Sequence, residues 1–180
     1  MKRFISILLT AVLLCGCTIL NANAEIEKDL AVVHCAEQKF TTRVPASMRT
    51  FWDESTGLNI AVGTPGKIPY LLVYRRDVKL NDPVNYLNNV VREHMEEKYG
   101  ANMIGTNPCR VFTLEGGRTL YGARYHYLVN GIEVCMFRLV EVRPEGDVEF
   151  QAKYTADSED KALAALEIAI QYYEADTAAV

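Results

Sequence analysis

His126 and Cys135 are the pair whose types and spacing come nearest to a reactive site. Each stands four residues from the Asn130-Gly131 dipeptide. A two-residue turn there sets them opposite each other on paired strands. A thiol beside an imidazole can be activated as a nucleophile or share a metal ion. A nucleophile also needs exposure and a third, orienting group, and a zinc site needs further ligands. With neither in view, cross-strand packing is the simpler reading. His34 and Cys35 are neighbours in sequence, so in an extended segment their side chains point apart. Glu93 and Glu97 share a helix face, but calcium needs six or more oxygens at set spacing, so a solvated face is expected. The chain has no G-x-S-x-G, Walker loop, H-E-x-x-H or C-x-x-C. No catalytic, metal-binding or cofactor-binding residue is therefore assigned, and no cofactor is expected. Among the ten tyrosines, Tyr74, Tyr121 and Tyr125, with Phe137, form a candidate face for an apolar or aromatic ligand. The bland alternative is core packing.

The elements that position these residues follow from pattern. Gln38 to Val44 alternates apolar with polar, and Pro45 ends it, which predicts a strand. Leu58 to Gly63 predicts a second strand, and Thr64 to Lys67 a turn. Tyr70 to Arg76 predicts a third strand, central because both its faces are apolar. Asp82-Pro83 is a cap followed by proline in the first helical position. Leu87, Val91 and Met95 then recur as one stripe, with Val90 and His94 beside it, and Gly100 closes the helix. Arg92 and Glu96 can pair on its exposed side.

Cys109 to Leu114, Thr119 to Val129, Ile132 to Val142 and Val148 to Thr155 read as a four-stranded antiparallel meander. Its turns are Glu115-Gly116-Gly117, Asn130-Gly131 and Arg143 to Gly146. The Asn130-Gly131 turn fixes register with Val129 against Ile132. The Tyr121, Tyr125 and Met136 face should then be buried, while the Arg124, His126 and Phe137 face is mixed, its middle covered and its ends wet. Asp157 or Ser158 caps a last helix whose stripe is Leu163, Leu166, Ile170 and Tyr173. The order βββ, α, ββββ, α predicts an α+β fold: a mostly antiparallel sheet flanked by helices on both faces.

The N-terminus reads as an export signal. Lys2 and Arg3 precede a short apolar run from Phe4 to Leu14, too short to span a bilayer as a settled helix. Ala22-Asn23-Ala24 offers small residues for cleavage after Ala24. The alternative is a lipobox at Leu14-Cys15-Gly16-Cys17, with Cys17 lipidated. Membrane attachment is expected only through such an anchor. The chain has 180 residues and net charge -4; without residues 1–24 it has 156 residues and net charge -6. That acidity disfavours nucleic acid. Residues 25–37 read as a lead-in, 38–175 as one domain and 176–180 as a frayed end. Cys35, Cys109 and Cys135 remain in the folded part. Cys35 and Cys109 sit at strand edges near loops, so a bridge between them is expected in an oxidising compartment. Three reduced thiols are the alternative.

Three passages resemble the Mog1/PsbP-like family, including the DcrB-type bacterial envelope proteins. They are Phe40 to Pro45 (FTTRVP), Leu120 to Tyr127 (LYGARYHY), and the closing strand and helix from Val148 to Tyr173. The resemblance implies an α/β/α sandwich and a binding or assembly role rather than a reaction. The expected function is an exported, non-catalytic envelope protein, periplasmic or extracellular. It binds a protein partner through a sheet edge or the loops Trp52 to Gly57 and Gly63 to Pro69. A small-ligand binder and a thiol-dependent enzyme using Cys135 and His126 are the alternatives.

Overall fold

The computed structural model describes residues 29–35, 39–48, 50–52, 60–63, 68–76 and 78–175. Its elements run β1 (Leu30–Cys35), β2 (Phe40–Pro45), β3 (Thr50–Trp52), β4 (Ile60–Gly63) and β5 (Tyr70–Arg75). A helical stretch follows as α1 (Pro83–Asn85), a π-helical segment (Tyr86–Val91) and α2 (Arg92–Tyr99). Then come β6 (Met103–Thr113), β7 (Thr119–Val129), β8 (Ile132–Glu141), β9 (Val148–Tyr154), α3 (Glu159–Gln171) and β10 (Glu174–Ala175). Seven strands form one antiparallel sheet in the order β3-β4-β5-β9-β8-β7-β6; β1, β2 and β10 form a second. The fold is α+β, as expected, with a small second sheet that the pattern did not reveal. The segment read as a lead-in supplies β1. The predicted Thr64–Lys67 turn, the export segment with Cys17 and Ala24, and the frayed end at 176–180 lie outside the described residues.

The meander forms as its turns dictate. Asn130 and Gly131 both take positive φ, 52° and 78°, and Val129 pairs with Ile132 through to Leu120 with Glu141. β6 begins six residues before the predicted Cys109. It is an edge strand carrying Pro108, with register shifts between Met103 and Gly105 and between Asn107 and Arg110. Such irregularity suits an edge and erases the alternation that marks a strand. β5 lies inside the sheet, between β4 and β9.

Each face of the large sheet has its own core. On one, Leu87, Val91 and Met95 cover Ala123, Tyr125, Tyr127, Val134, Met136 and Val140. Asp82 Oδ1 accepts from the Asn85 backbone at 2.8 Å, so the predicted cap is in place. Arg92 and Glu96 pair at 3.5 Å, and Gly100 ends the helix at φ 51°. Val90 and His94 face water, contrary to expectation. The wider winding of the π-helical segment keeps positions four apart in line, so the buried stripe is narrow. On the other face, α3 packs on Leu120, Leu139, Phe150 and Ala152 and also on Phe40 and Val44 of the small sheet. Eight residues of α3 are buried, four of them alanines; a helix apolar nearly all round is covered on more than one side. Its start is not capped by Asp157 or by the Ser158 side chain alone. Thr155 and Ser158 form a capping box one turn earlier, over a 3-10 turn at Ala156–Ser158.

Candidate functional site

Strand pairing sets three side chains in one row on the α3 side of the sheet: His126 opposite Cys135, and Cys135 opposite Tyr154. The Cys135 sulfur lies 3.9 Å from His126 Nε2. His126 Nδ1 is 3.0 Å from Glu133 Oε1, and Nε2 is 3.0 Å from Asn107 Oδ1. Both ring nitrogens therefore have an oxygen partner at 3.0 Å, closer than the sulfur at 3.9 Å. Burial pushes the Cys135 thiol up from its ordinary value, which keeps it protonated near neutral pH. The row has the order of a thiol relay without the charge state of one. Among the described residues no group of three or more His, Cys, Asp or Glu is placed to hold a metal ion.

A cleft of about 160 Å³ opens beside the row, lined by Arg124, His126, Glu133, Cys135, Tyr154, Ala156 and Glu159. Arg124 reaches Glu159 at 3.3 Å and lies over the Phe137 ring, 4.9 Å from its centroid. Tyr154 is 2% exposed, and its hydroxyl has the Cys135 thiol as its hydrogen-bonding neighbour.

The wet-ended face expected from the sequence is wet at one end only. At the other end Glu141 is buried and accepts from Arg118 Nε at 2.6 Å, Arg118 Nη2 at 2.8 Å and Arg143 Nη2 at 3.0 Å. Arg118 also donates to the Ile170 carbonyl at 3.0 Å, tying the meander to the end of α3. An open cleft of about 480 Å³ lies here between the Gly116-Gly117 and Arg143–Glu145 turns. Its two guanidinium groups are already spent on Glu141, so the arrangement is a latch rather than an anion site.

The aromatic candidates do not converge. Tyr74, Tyr121 and Tyr125 are on the face toward the first helix, and Phe137 is on the face toward α3. Tyr125 is fully packed and donates to the Leu87 carbonyl. Tyr74 accepts from Arg138 at 3.0 Å. It belongs to a buried charged cluster that the sequence did not single out. Glu149 at its centre accepts from Arg76 at 2.9 Å, from Tyr86 at 3.2 Å, from Gln151 at 3.2 Å and from Arg138. Burial works against the charge of Arg138, and Glu149 with the two tyrosines more than offsets it. The period-two register placed Arg138 on this buried face, and that was the available signal.

The expected Cys35–Cys109 bridge is not formed. Cys35 is in the core under α3, and Cys109 packs against the first helix on the opposite side of the sheet. Strand ends near loops were not near each other, because β1 and β6 belong to different sheets.

The large sheet ends on β3 at one side and on β6 at the other; β6 is eleven residues long and paired with β7. Ile104 and Val111 on it are 48% and 57% exposed. Arg110 to Thr113 pair regularly with Gly122 to Thr119. This is the longest stretch of β6 paired without a register shift.

No protein-family model matches the chain, and no curated protein matches it in sequence. Solved structures do match in shape. The cyanobacterial PsbP protein (CyanoP) of Synechocystis sp. PCC 6803 superposes with a TM-score of 0.54 at 12% identity, over 89% of this chain and 97% of that one. LpqN, described as involved in cell envelope biogenesis of Mycobacterium tuberculosis, gives 0.48 at 16% identity, over 88% and 96%. PA94 of Pseudomonas aeruginosa, described as a putative regulator of unknown function, gives 0.41 at 12%, over 79% and 94%. With a meander closed by a long buried helix and matched over nearly the whole of CyanoP, the chain has the PsbP-like fold.

Proposed function

We propose that this protein is an exported, non-catalytic component of the bacterial cell envelope that binds a protein partner along the edge of its large sheet. One observation carries the reading: β6 is a long edge strand whose segment Arg110 to Thr113 keeps regular geometry and exposes Val111. Unpaired strand edges are templates for another chain unless they are blunted. Pro108 and the two register shifts blunt the first half of β6 and leave the second half open. The raised pKa of the buried Cys135 thiol and its 3.9 Å separation from His126 support a binding role over a thiol reaction. The N-terminal signal supports export, with cleavage after Ala24 or lipidation at Cys17.

Site-specific photo-crosslinking in the intact cell envelope tests this. A photoreactive residue at Val111 should give a discrete protein adduct, and one at Val78, 74% exposed on the β5–α1 connection, should not. Equal labelling at both positions, or none at Val111, would sink the reading. Intact mass of the exported protein settles Ala24 against Cys17.

A further inference from the structure

The bulge in β6 is held from the first helix. Asn107 pairs with Arg124 and Arg110 with Gly122, so Pro108 and Cys109 share the place opposite Ala123. Two residues against one make a β-bulge, which leaves a residue outside the ladder and bends the strand. Pro108 has no N–H to offer. The Cys109 N–H donates to Asn88 Oδ1 of the π-helical segment at 2.7 Å. This bond joins residues 21 apart in sequence. It ties the edge strand to the helix that covers this face of the sheet.

The bulge decides which way Val111 faces. With it, Val111 lies opposite Tyr121 on the first-helix side, and Arg110 opposite Gly122 on the α3 side. Without it, the Asn107–Arg124 register would run on and set Val111 opposite Leu120, a residue of the core under α3. A slip of one residue exchanges the two faces of a strand. We infer that Asn88 is a positioning residue for partner docking: it holds the β6 bulge and so fixes the register in which Arg110 to Thr113 meet an extended segment of the partner. That segment then meets Val111 and Thr113 on the first-helix side and Arg110 and Phe112 on the other. Asn88 stands behind the strand and acts through β6. The inference deepens the proposed edge binding and rests on it.

Two measurements on the same variants test the inference: amide exchange of the exported protein followed by NMR, and photo-crosslinking at Val111 in the intact cell envelope. Asn88→Leu removes the acceptor. The Cys109 amide should then exchange about tenfold faster, and the Val111 adduct should fall severalfold, with circular dichroism to confirm the fold. Asn88→Asp keeps an oxygen for the Cys109 N–H and should hold both readouts near the wild-type level. A bond that only stabilised the fold would leave the Val111 adduct in place. An undiminished adduct in Asn88→Leu, or unchanged exchange at Cys109, would overturn the inference and leave the docking reading standing. So would Asn88→Asp behaving as Asn88→Leu does. No adduct from the wild-type protein would remove both.

Discussion

Replacing Glu149 with glutamine leaves two guanidinium groups against a neutral partner beneath the first helix. The Glu149 side chain is 0% exposed, while those of Arg76 and Arg138 are 23% and 14% exposed. Removing one partner of a buried ion pair costs about 3–5 kcal/mol, because the other charge stays buried without compensation. Arg76 is wet enough to recover part of its hydration, so most of the penalty falls on Arg138. The low end, about 3 kcal/mol, is therefore expected. For a chain of this size that lowers the melting temperature by about 6–12 °C. Urea titration should show a lower midpoint at unchanged slope, since the surface exposed on unfolding does not change. In a cycle with Arg138→Met, the double variant should cost less than the sum of the singles by about 1 kcal/mol or more. Strict additivity, or a Glu149→Gln loss under about 1 kcal/mol, would show that the cluster is not held by its charges.

Gly122 sits where an added Cβ would lie 2.4 Å from Leu139 Cδ2, 2.9 Å from Phe112 Cε2 and 3.0 Å from Phe137 Cε2. Gly122→Ala should therefore destabilise by about 1–2 kcal/mol, the overpacking penalty outweighing the gain from a stiffer unfolded chain; a raised urea midpoint would contradict this. Asp82→Ala removes the cap bond to Asn85 and should cost about 1 kcal/mol by the same assay. Burial raises the pKa of Tyr74, Tyr125, Tyr127 and Tyr154, and pushes Tyr173 up to about 12. The unfolded chain releases these protons near pH 10, so above that pH the folded state holds more of them. Stability is then full below about pH 10 and falls by about 1.4 kcal/mol per pH unit for each such tyrosine. Urea midpoints at pH 8 and pH 11, read beside tyrosinate absorbance, should diverge; equal midpoints would refute the reasoning.

The meander was legible because its information is local. Asn130-Gly131 requires positive φ, a required φ fixes the turn, and the turn fixes every pair from Val129–Ile132 to Leu120–Glu141. The first helix was legible for a similar reason, with Asp82, Pro83 and Gly100 marking its ends. What escaped was long-range pairing. β1 looks like a lead-in until β2 lies against it, and the two residues of β10 carry no pattern before β2 receives them. Which sheet a strand joins depends on the α3 side chains that both sheets share. The Cys35–Cys109 expectation failed at this step: nearness to a loop says nothing about which side of a sheet the loop ends on.

The candidate site was half legible for the same physical reason. A two-residue turn relates His126 to Cys135 by arithmetic, so their contact follows from sequence. Tyr154 completes the row only through the β8–β9 turn, whose length leaves the register undetermined until the Cys135–Tyr154 pairing is seen. Arg124 and Glu159 meet only once α3 has folded back across the sheet. Read as a pair, His126 and Cys135 suggest a reactive thiol. With Tyr154, Arg124 and Glu159 in place, the same residues form one wall of a cleft in which the thiol lies between the His126 ring and the Tyr154 hydroxyl. Burial raises the thiol pKa, so the sulfur serves as packing between the imidazole and the phenol rather than as a nucleophile.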